Sequence, residues 1–351
     1  MTQTSSPPPG RFRRATGWVR QRTDLKVILP IILTLGLLGY VSILAGGAES
    51  RGDIWLIVQR TWWVVLLLTV PYIAARAILW HELLEQLGIH VPWRPTLVAL
   101  ASGEIAKTIP GGIYVQNYVL ARVADFGELP VVRSSTATTA TLGLESALAL
   151  PVALIIGVPD TPWLVWTLVG IVVAWLVLLA VLWLLVRYWE VHVAAGTPGW
   201  LRHVLLIADE FLEAGAELFT WRTARAFVPT AVYMLVYVAD LYLIAAAVGV
   251  HTISFLETMG IYAVVVLVVI LVPLPTKLGT TELTGLTAFL AYGIPRPTAA
   301  IIMLGLRLLA TGATMLLAAG LLVALRKEFL APPPGRAPVL PDERADTGDG
   351  Q

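Results

Sequence analysis

Long apolar runs alternate with short polar stretches along this chain, and the runs have the length of membrane-crossing helices. A helix needs about 20 predominantly apolar residues to cross the hydrocarbon of a bilayer. The runs that approach or meet this length are 27–45, 61–80, 136–157, 163–187, 226–248, 258–274 and 298–325. Tryptophans mark several ends, among them Trp62, Trp63, Trp80, Trp163, Trp166, Trp189 and Trp221. That is the belt position of this residue at a membrane–water interface. The pattern predicts an all-α, polytopic transmembrane helical bundle.

Two stretches interrupt the apolar pattern without ending it. One reads PTLVALASGEIAKTIPGGIYVQNYVLARVAD from Pro95 to Asp125, the other LPTKLGTTELTGLTAFLAYG from Leu274 to Gly293. Each combines a glutamate (Glu104, Glu282), a lysine (Lys107, Lys277) and helix-breaking glycines or prolines. Each is followed by a span with one ionisable residue well inside it, Glu145 in the first case and Arg307 in the second. Ser135 to Glu145 and Pro297 to Arg307 are both ten residues. The spacing predicts a weak inverted repeat of two broken or re-entrant segments, the pattern of transporters whose site lies at the repeat interface. Bare backbone is tolerated at membrane depth only where protein or a water-filled cavity covers it. The polar stretches are therefore expected to line a hydrated groove.

Basic residues set the expected orientation. Arg11, Arg13, Arg14, Arg20, Arg22 and Lys26 precede the first run, which places the N-terminus in the cytoplasm. With Arg326 and Lys327 after the last run, a cytoplasmic C-terminus requires an even number of crossings, about eight, with 276–292 supplying the extra one as a short crossing or one limb of a broken helix. An amphipathic cytoplasmic helix is expected near 200–220, where LLIADEFLEAGAELF separates apolar from acidic positions. The expected organisation is a basic cytoplasmic segment at 1–24, a membrane domain at 25–327 and a disordered tail at 328–351.

Composition agrees. Of 351 residues, 57% are hydrophobic and 13% charged, against about 25% charged in a soluble domain; the mean hydropathy is +0.79. A net charge of +1 supplies no field for nucleic acid. There is no cysteine, and His81, His90, His192, His203 and His251 never fall at helical i, i+4 spacing, so no metal or other cofactor is expected. No HExxH, GxSxG or ATP-binding motif is present. Without such a motif, net pumping requires an ion gradient or a partner.

The ionisable residues within apolar runs carry the functional reading. One charge at a helix centre costs roughly 2.5–3.5 kcal/mol on insertion scales, and such residues usually mark a pathway or a site. Glu104, Lys107, Glu145, Lys277, Glu282 and Arg307 fall in the two resembling units and are the expected substrate-binding set. Arg76, Asp240, Gly103 and Gly279 are secondary candidates. Structural pairing is the competing explanation, Arg307 with Glu145 or Glu282 and Arg76 with Asp240. Arg76 also lies near a span end, where its guanidinium can reach the interface.

At these residues the chain resembles the lysylphosphatidylglycerol synthase transmembrane-region family, also called flippase-like membrane proteins. The resemblance rests on SGEIAKTIPGG (102–112), Glu145, PLPTKLGTTE (273–282) and GIPRPTAAIIMLGLRLLAT (293–311). The family's Gly-Glu, its Pro-x-x-x-Gly-x-x-Glu and its late arginine fall on Gly103, Glu104, Pro275, Gly279, Glu282 and Arg307. Two departures stand out: Lys277 and Thr280 occupy a run that is often glycine-rich, and Lys107 stands where an arginine often follows Gly-Glu. The resemblance implies that the protein moves or exposes a lipid with a charged headgroup in the cytoplasmic membrane. It also implies a non-enzyme, since the aminoacyl-transferase domain of some relatives is not expected here. Two alternatives remain at this point: an intramembrane enzyme using Glu104 or Glu282 as base on a lipid-linked substrate, and a scaffold for a lipid or glycan biosynthetic enzyme.

Overall fold

A computed structural model describes residues 50–107, 111–124, 128–157, 199–271 and 279–327, with isolated positions between 159 and 184. The expected span 27–45, most of 163–187, both terminal segments and Lys277 lie outside the described residues. The described secondary structure is helical: α1 (Ser50–Gln86), α2 (Trp93–Ala106), α3 (Val115–Val123), α4 (Glu128–Ile155), α5 (Gly199–Glu217), α6 (Phe227–Ala247), α7 (Phe255–Leu271), α8 (Thr280–Ala291), α9 (Arg296–Leu306) and α10 (Gly312–Ala324). Four helical stretches have the length and hydropathy of a crossing: Gly52–Gln86, Pro130–Ile155, Trp221–Ala247 and Arg296–Ala324. The chain is an integral membrane helical bundle.

Helix α1 is the axis of the bundle. Its 37 residues extend about 55 Å at 1.5 Å per residue, well beyond the expected run 61–80. One side packs chiefly on α6 and also touches α2, α4, α9 and α10; Val65, Leu79, Trp80, Leu83 and Leu84 are buried along it. The other side leaves Leu66, Leu67, Val70 and Ile78 exposed. Only lipid makes that exposure favourable, because hydrocarbon surface that would be costly in water is neutral against acyl chains.

Both polar stretches form short helices that turn back. At 14 and 9 residues, α2 and α3 reach about 21 and 14 Å, and neither crosses about 30 Å of hydrocarbon. The chain reverses around Gly111, whose φ of 68° is left-handed and favours glycine. Gly103 on α2 lies directly against Gln116 on α3: a Cβ at Gly103 would stand 2.7 Å from Gln116 Oε1 and 2.9 Å from its Cβ. Gln116 has little room to retreat, since its amide donates to Thr138 Oγ1 at 2.9 Å. Gly103→Ala is therefore expected to cost about 1–3 kcal/mol of stability by overpacking, read as a lower unfolding temperature of the detergent-solubilised protein. Gly103 thus has a packing role in this hairpin.

In the second stretch, α8 has 12 residues, about 18 Å, shorter than the hydrocarbon thickness of about 30 Å, and it packs against α9 and α7. Its first turn starts at Gly279, which has a φ of 85°, so a backbone requirement accounts for this glycine. The 276–292 element of the expected topology is thus a half-length helix. Of the expected span 258–274, residues 258–271 lie in the described part of α7. The last span, expected as one helix over 298–325, contains a π-helical turn at Arg307–Thr311 between α9 and α10.

The serine- and threonine-rich part of α4 packs on α3 through hydrogen bonds. Thr138 Oγ1 donates to Asn117 Oδ1 at 3.0 Å, and Asn117 Nδ2 donates to Ser135 Oγ at 3.1 Å. These bonds fasten α3 to α4. The amphipathic helix expected near 200–220 is α5. It is held to α4 by Arg133, which pairs with Glu210 at 3.0 Å and also with Glu217, so part of its acidic face turns toward the bundle. Phe219 and Trp221, just beyond its end, are 97% and 87% exposed.

Candidate functional site

The charged residues assemble in the interior as two separate groups. The first joins α1, α2, α4 and α6. Arg76 is 9% exposed and lies between two carboxylates: its Nε is 3.1 Å from Glu104 Oε1 and its Nη1 is 3.5 Å from Glu145 Oε1. Lys107, one helical turn after Glu104, pairs with Glu104 Oε2. Two tyrosines close the group. Lys107 Nζ donates to Tyr72 Oη at 3.1 Å, and Tyr233 Oη donates to Glu145 Oε1 at 2.6 Å. The Arg76 guanidinium also lies 5.9 and 5.5 Å from the ring centres of Tyr72 and Tyr233, within the range of cation–π attraction.

Arg76 therefore does not reach the interface, and its partner is not Asp240. The pairing is decided by helix rotation: Arg76 is one helical turn from Tyr72 on the side of α1 that meets Glu104 and Glu145. Asp240 is buried in α6 at 3% exposure, and its Oδ1 has no hydrogen-bond partner. It does not line the cavity described below.

The second group joins α8 to the π turn. Glu282 is 1% exposed; its Oε1 accepts from Arg307 Nε at 2.5 Å, and its Oε2 accepts from the Gly279 backbone N–H at 2.6 Å. Glu282 thus caps the helix on which it sits while holding Arg307 on the facing helix. Arg307 Nη1 reaches Thr311 Oγ1 at 3.5 Å. Of the two pairings open for Arg307 in the sequence, this is the one formed. A π turn widens a helix locally and is frequent at functional positions; here it starts at Arg307.

A cavity of about 470 Å³ joins the two groups. Arg76, Lys107 and Glu145 line it on one side, Glu282 and Arg307 on the other. Between them stand Tyr72, Tyr233, Tyr237 and Tyr262, and one wall of α7 contributes Val265, Val266, Val269 and Ile270. The volume is that of a small-molecule pocket. Acids, bases and hydroxyls facing an apolar wall suit an amphiphile: a polar group is held at one side while hydrocarbon lies along the other.

Five of the six residues expected to bind substrate have described side chains in or beside this arrangement. Glu104 stands behind the cavity wall, bonded to Arg76 and Lys107; Lys277 lies outside the described residues. Glu104 is in the last turn of α2, before the break, whereas Glu282 is in the first turn of α8, after one. Tyr72, Tyr233, Tyr237 and Tyr262 were missed by sequence reasoning. Their signal was their depth, since belt tyrosines sit at span ends and these sit well within helices. Among the described residues, no group of three His, Asp or Glu side chains is placed to hold a metal ion.

The fold and the site together define an integral membrane protein of the polytopic α-helical class, with a charged cavity among its helices. The family model of the lysylphosphatidylglycerol synthase transmembrane region matches residues 27–318. The chain belongs to that family. No curated protein and no solved structure matches it.

Proposed function

We propose that this protein is a flippase-like lipid transporter of the cytoplasmic membrane, which takes a charged headgroup into the cavity while the acyl chains remain in the bilayer. The observation that carries this reading is the shared cavity, bounded by charges from both polar hairpins and by the apolar wall of α7. A headgroup crossing bare hydrocarbon loses its hydration with nothing in exchange. A path lined by fixed charges and tyrosine hydroxyls replaces part of that hydration and lowers the barrier. Glu104 and Glu145 hold Arg76 and Lys107 at this path, as Glu282 holds Arg307. Family membership supports a lipid substrate. Among the described lining residues there is no serine, cysteine or histidine, which favours transport over chemistry on the lipid.

The test is reconstitution into liposomes containing headgroup-labelled phospholipid, with translocation read by quenching of the outer leaflet. Wild type is expected to expose inner-leaflet label to the quencher. Val269→Trp, which places a large ring on the cavity wall without changing any charge, is expected to slow this at least about tenfold. Translocation at the rate of protein-free liposomes, or a Val269→Trp variant as fast as wild type, would contradict the proposal. Conversion of the lipid to a new species would favour an enzyme.

A further inference from the structure

The two charged groups differ in a way that specifies a ligand. In the first, two cations face two carboxylates and each charge has an opposite partner. In the second, a single carboxylate serves two positive features. Glu282 Oε1 takes Arg307 Nε and Oε2 takes the Gly279 N–H at the start of α8. A helix N-terminus carries roughly half a positive charge, so one negative charge faces about one and a half positive ones. The excess lies at the end of the cavity that Arg307 lines.

Hydrogen-bond capacity is skewed the same way. A guanidinium has five N–H donors and no acceptor. In Arg307 the Nε donor is taken by Glu282, Nη1 makes one long contact of 3.5 Å with Thr311, and Nη2 is buried with no hydrogen-bond partner. The carboxylates, by contrast, are largely engaged. Both oxygens of Glu282 and both of Glu104 accept bonds or ion pairs, and Glu145 Oε1 holds Tyr233 and Arg76. An entering amine meets acceptors most of which are already engaged. An entering phosphate meets unused donors.

We propose that the Nη side of Arg307 is an anion subsite of the cavity, and that the favoured ligand presents phosphate oxygens with no cation of its own, as an anionic phospholipid does and a zwitterionic or cationic one does not. This rests on reading the cavity as a headgroup site. Nη2 is covered from solvent, so the guanidinium shifts toward the cavity to meet the phosphate, giving up little more than the long Thr311 contact. The phosphate then supplies the acceptors that Nη1 and Nη2 lack, in the forked geometry that arginine forms with phosphate.

The experiment is calorimetric titration of the full chain in phosphatidylcholine nanodiscs with short-chain phosphatidylglycerol, short-chain phosphatidylcholine and inorganic phosphate. Wild type is expected to bind the glycerol lipid roughly tenfold more tightly than the choline lipid. Arg307→Ala is expected to abolish that preference. Glu282→Gln is expected to widen it, because removing the competing carboxylate frees the guanidinium. A purely structural pair would instead weaken binding of both lipids alike in both variants. Glu282→Gln carries the test by itself if Arg307→Ala fails to fold. Competition by inorganic phosphate upholds the subsite and assigns it to free phosphate; preference without competition upholds it and assigns it to the lipid. Equal binding of the two lipids by wild type, or a narrower preference in Glu282→Gln, overturns it. Because binding is read without transport, a chain that binds selectively but does not translocate defeats the transport reading and leaves this one standing.

Discussion

Glu104→Ala is expected to destabilise the folded chain by about 3–5 kcal/mol, the cost of breaking a buried ion pair from one side. Glu104 is 2% exposed and is the carboxylate that holds both Arg76 and Lys107. Without it, Arg76 keeps one carboxylate contact, the 3.5 Å approach to Glu145, and Lys107 keeps the hydroxyl of Tyr72. Two cations would then face each other across a cavity edge with a single carboxylate between them. The loss should appear as a lower unfolding temperature and a smaller monodisperse fraction after detergent extraction. Glu104→Gln combined with Lys107→Met removes one charge of each sign and should recover part of the loss. Glu85→Ala removes a carboxylate that pairs with an exposed histidine and should have little effect. If Glu104→Ala unfolds like wild type, water already screens this group and the buried quartet is not what holds α1, α2 and α4 together.

The charged positions were legible in the sequence because an ionisable side chain inside an apolar run is costly and conspicuous. Glu145 and Arg307 were found that way, Glu104 and Glu282 from the polar stretches that interrupt the runs, and the structure gives each an interior position. Their pairing was not legible. Arg76 lies 28 residues from Glu104 and 69 from Glu145 along the chain, and only the rotation of α1 against α2 and α4 selects these partners over Asp240. Helix lengths were partly hidden as well. The polar start of α1, SRGD, does not look like part of a long apolar helix, and the sequence left 276–292 open between a short crossing and one limb of a broken helix. The break itself was visible at Gly279. The π turn at Arg307 was not, because no residue type there marks one in the sequence.

The asymmetry of the site also came from three-dimensional placement. In sequence, each polar stretch has one glutamate and one lysine. In space, Glu104 holds two cations and shares one of them, Arg76, with Glu145, whereas Glu282 is divided between an arginine and the start of its own helix. A single sequence does not reveal which carboxylate oxygens are occupied.

The central claim is that both hairpins face one water-accessible cavity, and thiol accessibility tests it most directly. The chain contains no cysteine, so each introduced thiol reports without background. Leu142 on α4, Thr281 on α8 and Thr311 on the π turn line the cavity from different helices. Ala149 and Ala300 are fully buried, at 0% exposure, and are not among its lining residues. A water-filled cavity keeps a thiol hydrated and lets it ionise, whereas a thiol in dry packing stays neutral and inert. With a small charged thiol reagent added to the reconstituted protein, Leu142→Cys, Thr281→Cys and Thr311→Cys should react at least about a hundredfold faster than Ala149→Cys and Ala300→Cys. All three should be protected together by one occluding ligand or by the added Val269→Trp change. Reaction at the slow rate of the buried controls on either side of the cavity would contradict the account.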